Sequence, residues 1–241
     1  MSESFPLIIR FSDLTPPALA TNEIHVMAAS LEDLAHYRSQ AVAAINAEEQ
    51  ARAARFINPV HGDQFALVRG ALRCCLGAYL DIPPDRVEFD FNQYGKPEIH
   101  PAQNTLALKF NVSHSHHMAA FVFTLRQRVG IDIEYRKPLK NMAGLTQHVC
   151  SAKELDEFNH LDGNQCEAAF FRLWTRKEAF IKANGQGLSM GLRSIYIGVE
   201  EADLISRVQY EGRWMESWYI KDLLCPQGYK MAVAIENTPF S

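Results

Sequence analysis

Two stretches of the chain carry the clearest periodicity. From Phe170 to Lys182 (FFRLWTRKEAFIK) the apolar positions recur at helical spacing. At about 100° per residue Phe170, Trp174 and Ile181 share one arc, flanked by Phe171 and Leu173. Glu178 lies four residues after Trp174 at the edge of that arc, and Lys182 four beyond it. From Val129 to Glu134 (VGIDIE) the alternation is strict and predicts a strand. Its period of two sets Asp132 and Glu134 on one face, roughly 6.5–7 Å apart.

The remaining elements follow from the same patterns. Met1–Asn22 is an extension with an apolar FPLIIRF run, able to add an edge strand. Glu23–Ala28 alternates as a strand, and a helical pattern runs from Leu31 to about Ala44. Asn46 with Glu49 forms a capping box that opens a helix over AEEQARAARF. A further helix spans Gly62–Leu80. Strands are predicted at Val87–Phe91, Leu106–Val112 and Met118–Leu125, with a turn at Gln93–Pro97. Arg136–Cys150 reads as a connection, and Ser151 with Glu154 forms a second capping box. The tail alternates at IYIGV, WYI and MAVAI, as strands of a second sheet. This order predicts an α+β fold of two similar subdomains, residues 1–126 and 127–241. They would be related by a pseudo-twofold with the active-site cleft between them.

Composition narrows the class. The chain has 241 residues, 47% hydrophobic and 22% charged, enough for a sizeable core. A net charge of −4 gives no broad footprint for nucleic acid or an anionic membrane. Five irregularly spaced cysteines argue against a disulfide framework, and no apolar run reaches the length of a bilayer span. Without a signal-peptide pattern at the N-terminus, the expectation is a cytoplasmic protein.

The chemistry concentrates on the two periodic stretches. Asp132 and Glu134 can reach one hard cation, and Glu178 would complete a protein half-shell suited to Mg²⁺, phosphate oxygens and water. His114, His116 and His117 lie in one short stretch without distant partners, which disfavours a metal site there. Hydrogen bonding to phosphate by Ser113 and His114 is the better reading. Arg52 and Arg55 share a helix face that ordinary charge pairing would explain, and Lys96 sits in a turn. Glu154 has a structural explanation of its own, as the third residue of the helix it caps.

Five segments then match one family in order and spacing: QYGKP, FNVSHS, VGIDIE, SAKEL and WTRKEAFIK. The sequence resembles the Sfp-type 4′-phosphopantetheinyl transferases, in the subgroup with tryptophan and KEA in the last motif. The resemblance covers roughly residues 48–188. It implies Mg²⁺-dependent transfer of the phosphopantetheine arm of coenzyme A onto a carrier-protein serine, releasing 3′,5′-ADP. Asp132, Glu134 and Glu178 would hold Mg²⁺, with Mn²⁺ as a substitute. Lys182 would neutralise the pyrophosphate, and Lys96, Ser113 and His114 would contact coenzyme A phosphates. Glu154 would take the proton of the carrier serine. Arg52 and Arg55 would grip the adenosine 3′-phosphate, a further basic position being replaced by His61 or Gln64. Val149 and Cys150 stand where the family often has an aromatic residue.

The implied partners are coenzyme A and apo acyl, peptidyl or aryl carrier proteins of fatty-acid, polyketide or nonribosomal-peptide synthesis, without nucleic acid or membrane. Two half-like parts in one chain make a monomer the simpler expectation. Met142 and Leu145, read as exposed apolar residues of the 136–150 connection, are the expected docking positions for the carrier. A hydrolase using the same carboxylates, or a non-catalytic carrier binder, are the alternatives; the retained Asp132, Glu178 and Lys182 speak against the latter.

Overall fold

The structure is a computed structural model and describes residues 6–10, 12–202, 204–205 and 207–236. Its contacts divide the chain into two compact units. One runs up to Val112 and takes in His117–Arg126; the other comprises Ser113–His116 and everything from Gln127 onward. Helices and sheets are mixed throughout, as an α+β fold requires.

In the first unit, β1 (Leu7–Arg10) lies parallel against β2 (Glu23–Ser30). The N-terminal extension thus supplies an edge strand; Phe5 and Phe11 of its apolar run lie outside the described residues. The predicted Leu31–Ala44 helix is broken in two, α1 (Leu31–Ala35) and α2 (Arg38–Ala44), with Tyr37 out of helical geometry between them. The box of Asn46 and Glu49 caps α3 (Ala47–Ala54). Helix α4 (Pro59–Leu80) begins three residues earlier than its apolar pattern, because Asn58 caps it and Pro59 fits the first turn. A hairpin of β3 (Phe89–Phe91) and β4 (Pro97–Ile99) follows, and then β5 (Leu108–Ser115) and β6 (Met118–Leu125). The main sheet has the order β1-β2-β6-β5. Leu67, Leu72 and Leu76 of α4 join Met27, Phe121 and Phe123 of the sheet in one core. At Gly70 a side chain would collide with the Ala41 backbone, so α2 and α4 approach closely there.

The second unit starts from β7 (Val129–Tyr135) and α5 (Met142–Val149). The predicted connection therefore contains a short helix, capped by Asn141, whose side chain accepts from Gly144 N at 3.0 Å. It brings Met142 and Leu145 half-buried against the core, which corrects the expectation that both are exposed. Helix α6 (Ala152–Asn159) carries the second capping box, and α7 (Gly163–Asn184) extends the predicted helix to twenty-two residues. The tail forms a small sheet of β8 (Ile195–Tyr196), β9 (Gln209–Tyr210) and β10 (Arg213–Trp214). It also supplies β11 (Trp218–Asp222) and β12 (Tyr229–Glu236), which extend β7 as an antiparallel sheet in the order β11-β12-β7. The IYIGV strand stops after two residues. The next backbone N–H groups are taken by carboxylates instead: Ile197 N donates to Glu154 Oε1 at 2.9 Å and Val199 N to Glu157 Oε2 at 2.9 Å.

Helix α7 lies directly on β7. A side chain on Gly130 would strike the backbone of Ala179 and Ala183, so glycine is what allows strand and helix to meet. Phe180 packs edge-on against Trp218 with ring centroids 4.9 Å apart. That contact seats one side of α7 on β11, while Lys182 from the same helix reaches Asp132 of β7. No helix among the described residues is long and apolar enough to cross a membrane.

Candidate active site

The second unit gathers most of the sequence-predicted site residues at one place. Lys182 on α7 donates to Asp132 Oδ1 on β7 at 2.6 Å and to Ser113 Oγ at the end of β5 at 2.8 Å. Ser113 Oγ in turn donates to Asp132 Oδ1 at 2.9 Å, closing a three-membered cluster. Two residues on, the arrangement repeats with different partners. Ser115 Oγ donates to Glu134 Oε2 at 2.7 Å, and the Trp174 indole N–H donates to Glu134 Oε1 at 3.3 Å. Ser113 and Ser115 have the same two-residue spacing as Asp132 and Glu134, so each serine of β5 meets one carboxylate of β7. Trp174 reads in the sequence only as packing, because periodicity does not see the polar edge of an indole.

The electrostatics are those of crowded carboxylates. Asp132 is 3% exposed, and its pKa is pushed up to about 6. Burial is the main cause and Glu134 adds to it, while Lys182 and Ser113 pull the other way. Glu178 is also shifted up, by burial first and then by Asp132 and Glu134, with Lys182 opposing. Asp132 Oδ2 is buried without any hydrogen-bond partner. A buried carboxylate oxygen left bare beside two more carboxylates suits a divalent cation, so the residues present fit Mg²⁺. They are not a ready-made cage. Among the described residues no group of three His, Cys, Asp or Glu side chains is arranged to hold a metal ion. Here Lys182 engages Asp132, while Ser115 and Trp174 engage Glu134.

A cavity of about 380 Å³ opens beside Glu134 and Ser115, walled by Leu139, Leu145, Phe170 and Trp174. His114, one residue along β5 from Ser113, is exposed.

Glu154 stands elsewhere, and its geometry corrects the role implied for it. Its side chain is fully buried in an ion pair with Lys177, Nζ to Oε2 at 2.5 Å. The same Oε2 accepts from Ser151 N at 2.8 Å in the capping box, and Oε1 accepts from Ile197 N at 2.9 Å. A carboxylate so enclosed has no approach to a substrate hydroxyl, since a base must stand within hydrogen-bond reach of its proton. Glu154 is a structural anchor.

Three predicted residues belong to the first unit. Lys96 is half-buried in the β3–β4 turn, where Gly95 takes φ +83° and Asn92 Oδ1 accepts from Lys96 N at 3.0 Å. Arg52 lies on α3 with its guanidinium 4.9 Å from the centroid of Phe65, and Arg55 is the exposed C-cap of that helix.

Comparison with known proteins agrees with the geometry. The model of the 4′-phosphopantetheinyl transferase superfamily matches residues 128–234, which include β7, α7 and all three acidic residues. The 4′-phosphopantetheinyl transferase HetI of Nostoc sp. is 34% identical over 176 residues, 72% of this chain and 74% of the relative. The 4′-phosphopantetheinyl transferase Sfp of Bacillus subtilis is 28% identical over 196 residues, 81% of this chain and 84% of the relative. With a relative of that identity matched over almost three quarters of its length, the chain belongs to the 4′-phosphopantetheinyl transferase family.

Proposed function

We propose that the protein transfers the 4′-phosphopantetheine arm of coenzyme A to a serine of an apo acyl, peptidyl or aryl carrier protein, in a Mg²⁺-dependent reaction that releases 3′,5′-ADP. The observation that carries this reading is the cluster of Lys182, Ser113 and Asp132, with the bare Asp132 Oδ2 beside Glu134 and Glu178. Asp132, Glu134 and Glu178 would hold Mg²⁺, or Mn²⁺ in its place. The bound ion would neutralise the pyrophosphate and the charge that grows on its leaving oxygen.

The remaining work falls to the chain's own side chains. Lys182, held on Asp132 and half-exposed, offers donors to a pyrophosphate oxygen. Ser113 and His114 extend that donor set, and Lys96, Arg52 and Arg55 are assigned to coenzyme A phosphates through the family resemblance. The carrier serine oxygen forms a bond to the β-phosphorus, the bond from that phosphorus to the bridging oxygen breaks, and 3′,5′-ADP leaves with the electron pair. With Glu154 enclosed, Glu178 is the carboxylate suited to accept the serine proton. Its side chain makes no hydrogen bond among the described residues, which leaves its oxygens open to the ion and to the incoming hydroxyl. Leu145 and Leu139, in the wall of the cavity beside Glu134, offer apolar surface to the carrier.

The test is intact mass. The protein, coenzyme A, Mg²⁺ and a panel of apo carrier proteins should yield a gain of one phosphopantetheine unit on at least one carrier. The gain should vanish with chelator and in Asp132→Asn that remains folded. Release of phosphopantetheine or nucleotide without any carrier modification would instead mark a hydrolase.

A further inference from the structure

A cavity of about 680 Å³ lies wholly within the first unit, and none of the residues assigned to Mg²⁺ or to coenzyme A lines it. Its walls are aliphatic and small. Ala43 and Ala44 come from α2, Gly77 and Ala78 from α4, and Ile82 and Pro83 from the segment after α4.

That last wall is held in place without a ligand. A side chain on Gly77 would come within 2.6 Å of the Ile82 carbonyl oxygen and 3.1 Å of Pro84, so glycine lets the chain fold back against α4. Asp81 makes the turn at a left-handed φ of +55°, and Ile82 N donates to Gly77 O at 3.1 Å. The buried Arg73 guanidinium ties the segment down, its Nη1 donating to the carbonyls of Pro84 at 2.9 Å and Val87 at 2.8 Å. A wall fixed in this way costs a ligand little ordering.

The charge at the cavity has one sign. Asp81 and Asp85 are the charged residues of the lining. Both are exposed, and neither side chain has a hydrogen bond or ion pair among the described residues. They follow the C-terminus of the twenty-two-residue α4, whose last turn carries no basic residue. The carbonyl end of a helix bears about half a negative charge, which adds to the two carboxylates. Arg86, the nearest cation in sequence, is exposed and does not line the cavity.

We propose that this cavity binds an aliphatic amine in its ammonium form, with the hydrocarbon body against the alanines and Ile82 and the charge toward Asp81 and Asp85. Burial of hydrocarbon supplies the affinity, and the carboxylates select the sign of the charge. The inference does not rest on the proposed function.

Three ligands that share one rigid aliphatic cage test it: adamantylammonium, adamantanol and adamantanecarboxylate. Calorimetry on the full chain should rank them in that order. The ammonium should lead the alcohol by about fivefold, as expected of exposed carboxylates. Raising the salt to about 1 M should erase most of that preference. Asp81→Asn and Asp85→Asn together should bring the ammonium down to the affinity of the alcohol, since asparagine keeps the left-handed turn at position 81. Ala78→Trp, at an exposed position of the wall, should weaken all three ligands. Cys74, a half-buried thiol in the lining, locates the occupant. Adamantylammonium should slow its modification by methyl methanethiosulfonate and leave Cys166 of α7 unaffected. Equal affinity for ammonium and alcohol, or a preference that survives the double variant, would overturn the site. So would an unprotected Cys74, or no binding by any of the three.

Discussion

Helix α7 carries two ion-paired lysines five residues apart, and the two pairs are opposites. Lys177 is fully buried. Its ammonium donates to Glu154 at 2.5 Å, and to the carbonyls of Val149 at 2.8 Å, Leu192 at 2.9 Å and Ile195 at 2.7 Å. Every donor is used, and the partner Glu154 has both oxygens engaged. Lys182 has a side chain 27% exposed, and its partner Asp132 keeps one oxygen bare. An ion pair alone therefore says little about function. Saturation decides: the closed pair ties α6, α7 and the segment after α7 together, while the open pair has capacity left for a ligand.

The largest effect should come from opening the closed pair. Lys177→Met removes the cation and leaves Glu154 buried and uncompensated. It should destabilise the protein by about 3–5 kcal/mol, the usual cost of removing one partner of a buried pair. Urea unfolding measures this. A loss under about 1 kcal/mol with turnover abolished would assign Lys177 to the chemistry and erase the contrast.

At the open pair the effect should move from stability to rate. Lys182→Ala should lower kcat by about 10²-fold or more, the order seen when one preorganised donor to developing charge is removed. Coenzyme A affinity should change much less, and the melting temperature should stay within a few degrees. Single-turnover mass spectrometry beside calorimetry separates the two quantities. An unchanged kcat would take Lys182 out of the mechanism.

The same contrast shows what the sequence could convey. Period two in VGIDIE and period 3.6 in FFRLWTRKEAFIK place Asp132, Glu134, Glu178 and Lys182 on the faces they occupy, since both patterns depend on which side is buried. The capping boxes at Asn46 and Ser151 are equally plain, being local hydrogen bonds between residues three apart. What stays hidden depends on tertiary contact. Lys177 and Lys182 look alike in a string of letters, and nothing local says that one is enclosed by three carbonyls. Helix α5 escapes because eight residues that include Gly144 give too short a period.

Glu154 is where a family expectation and the local reading diverge, and it supplies the finest test. Glu154→Gln keeps the shape and an acceptor for Ile197 N while removing the charge that balances Lys177. Stability should fall, since Lys177 loses its counter-ion. Well below the melting transition, however, kcat should remain within about fivefold of wild type, and the acidic limb of its pH profile should not move. A catalytic base behaves otherwise: its loss lowers kcat by about 10²–10⁴-fold and displaces the acidic limb, whatever happens to the melting temperature. The measurement is kcat against pH at a temperature where circular dichroism shows the variant folded. A 10²-fold loss there would return Glu154 to the chemistry and would require its helix to open in the complex. Retention of rate would leave the proton to Glu178, the carboxylate on the open side of α7.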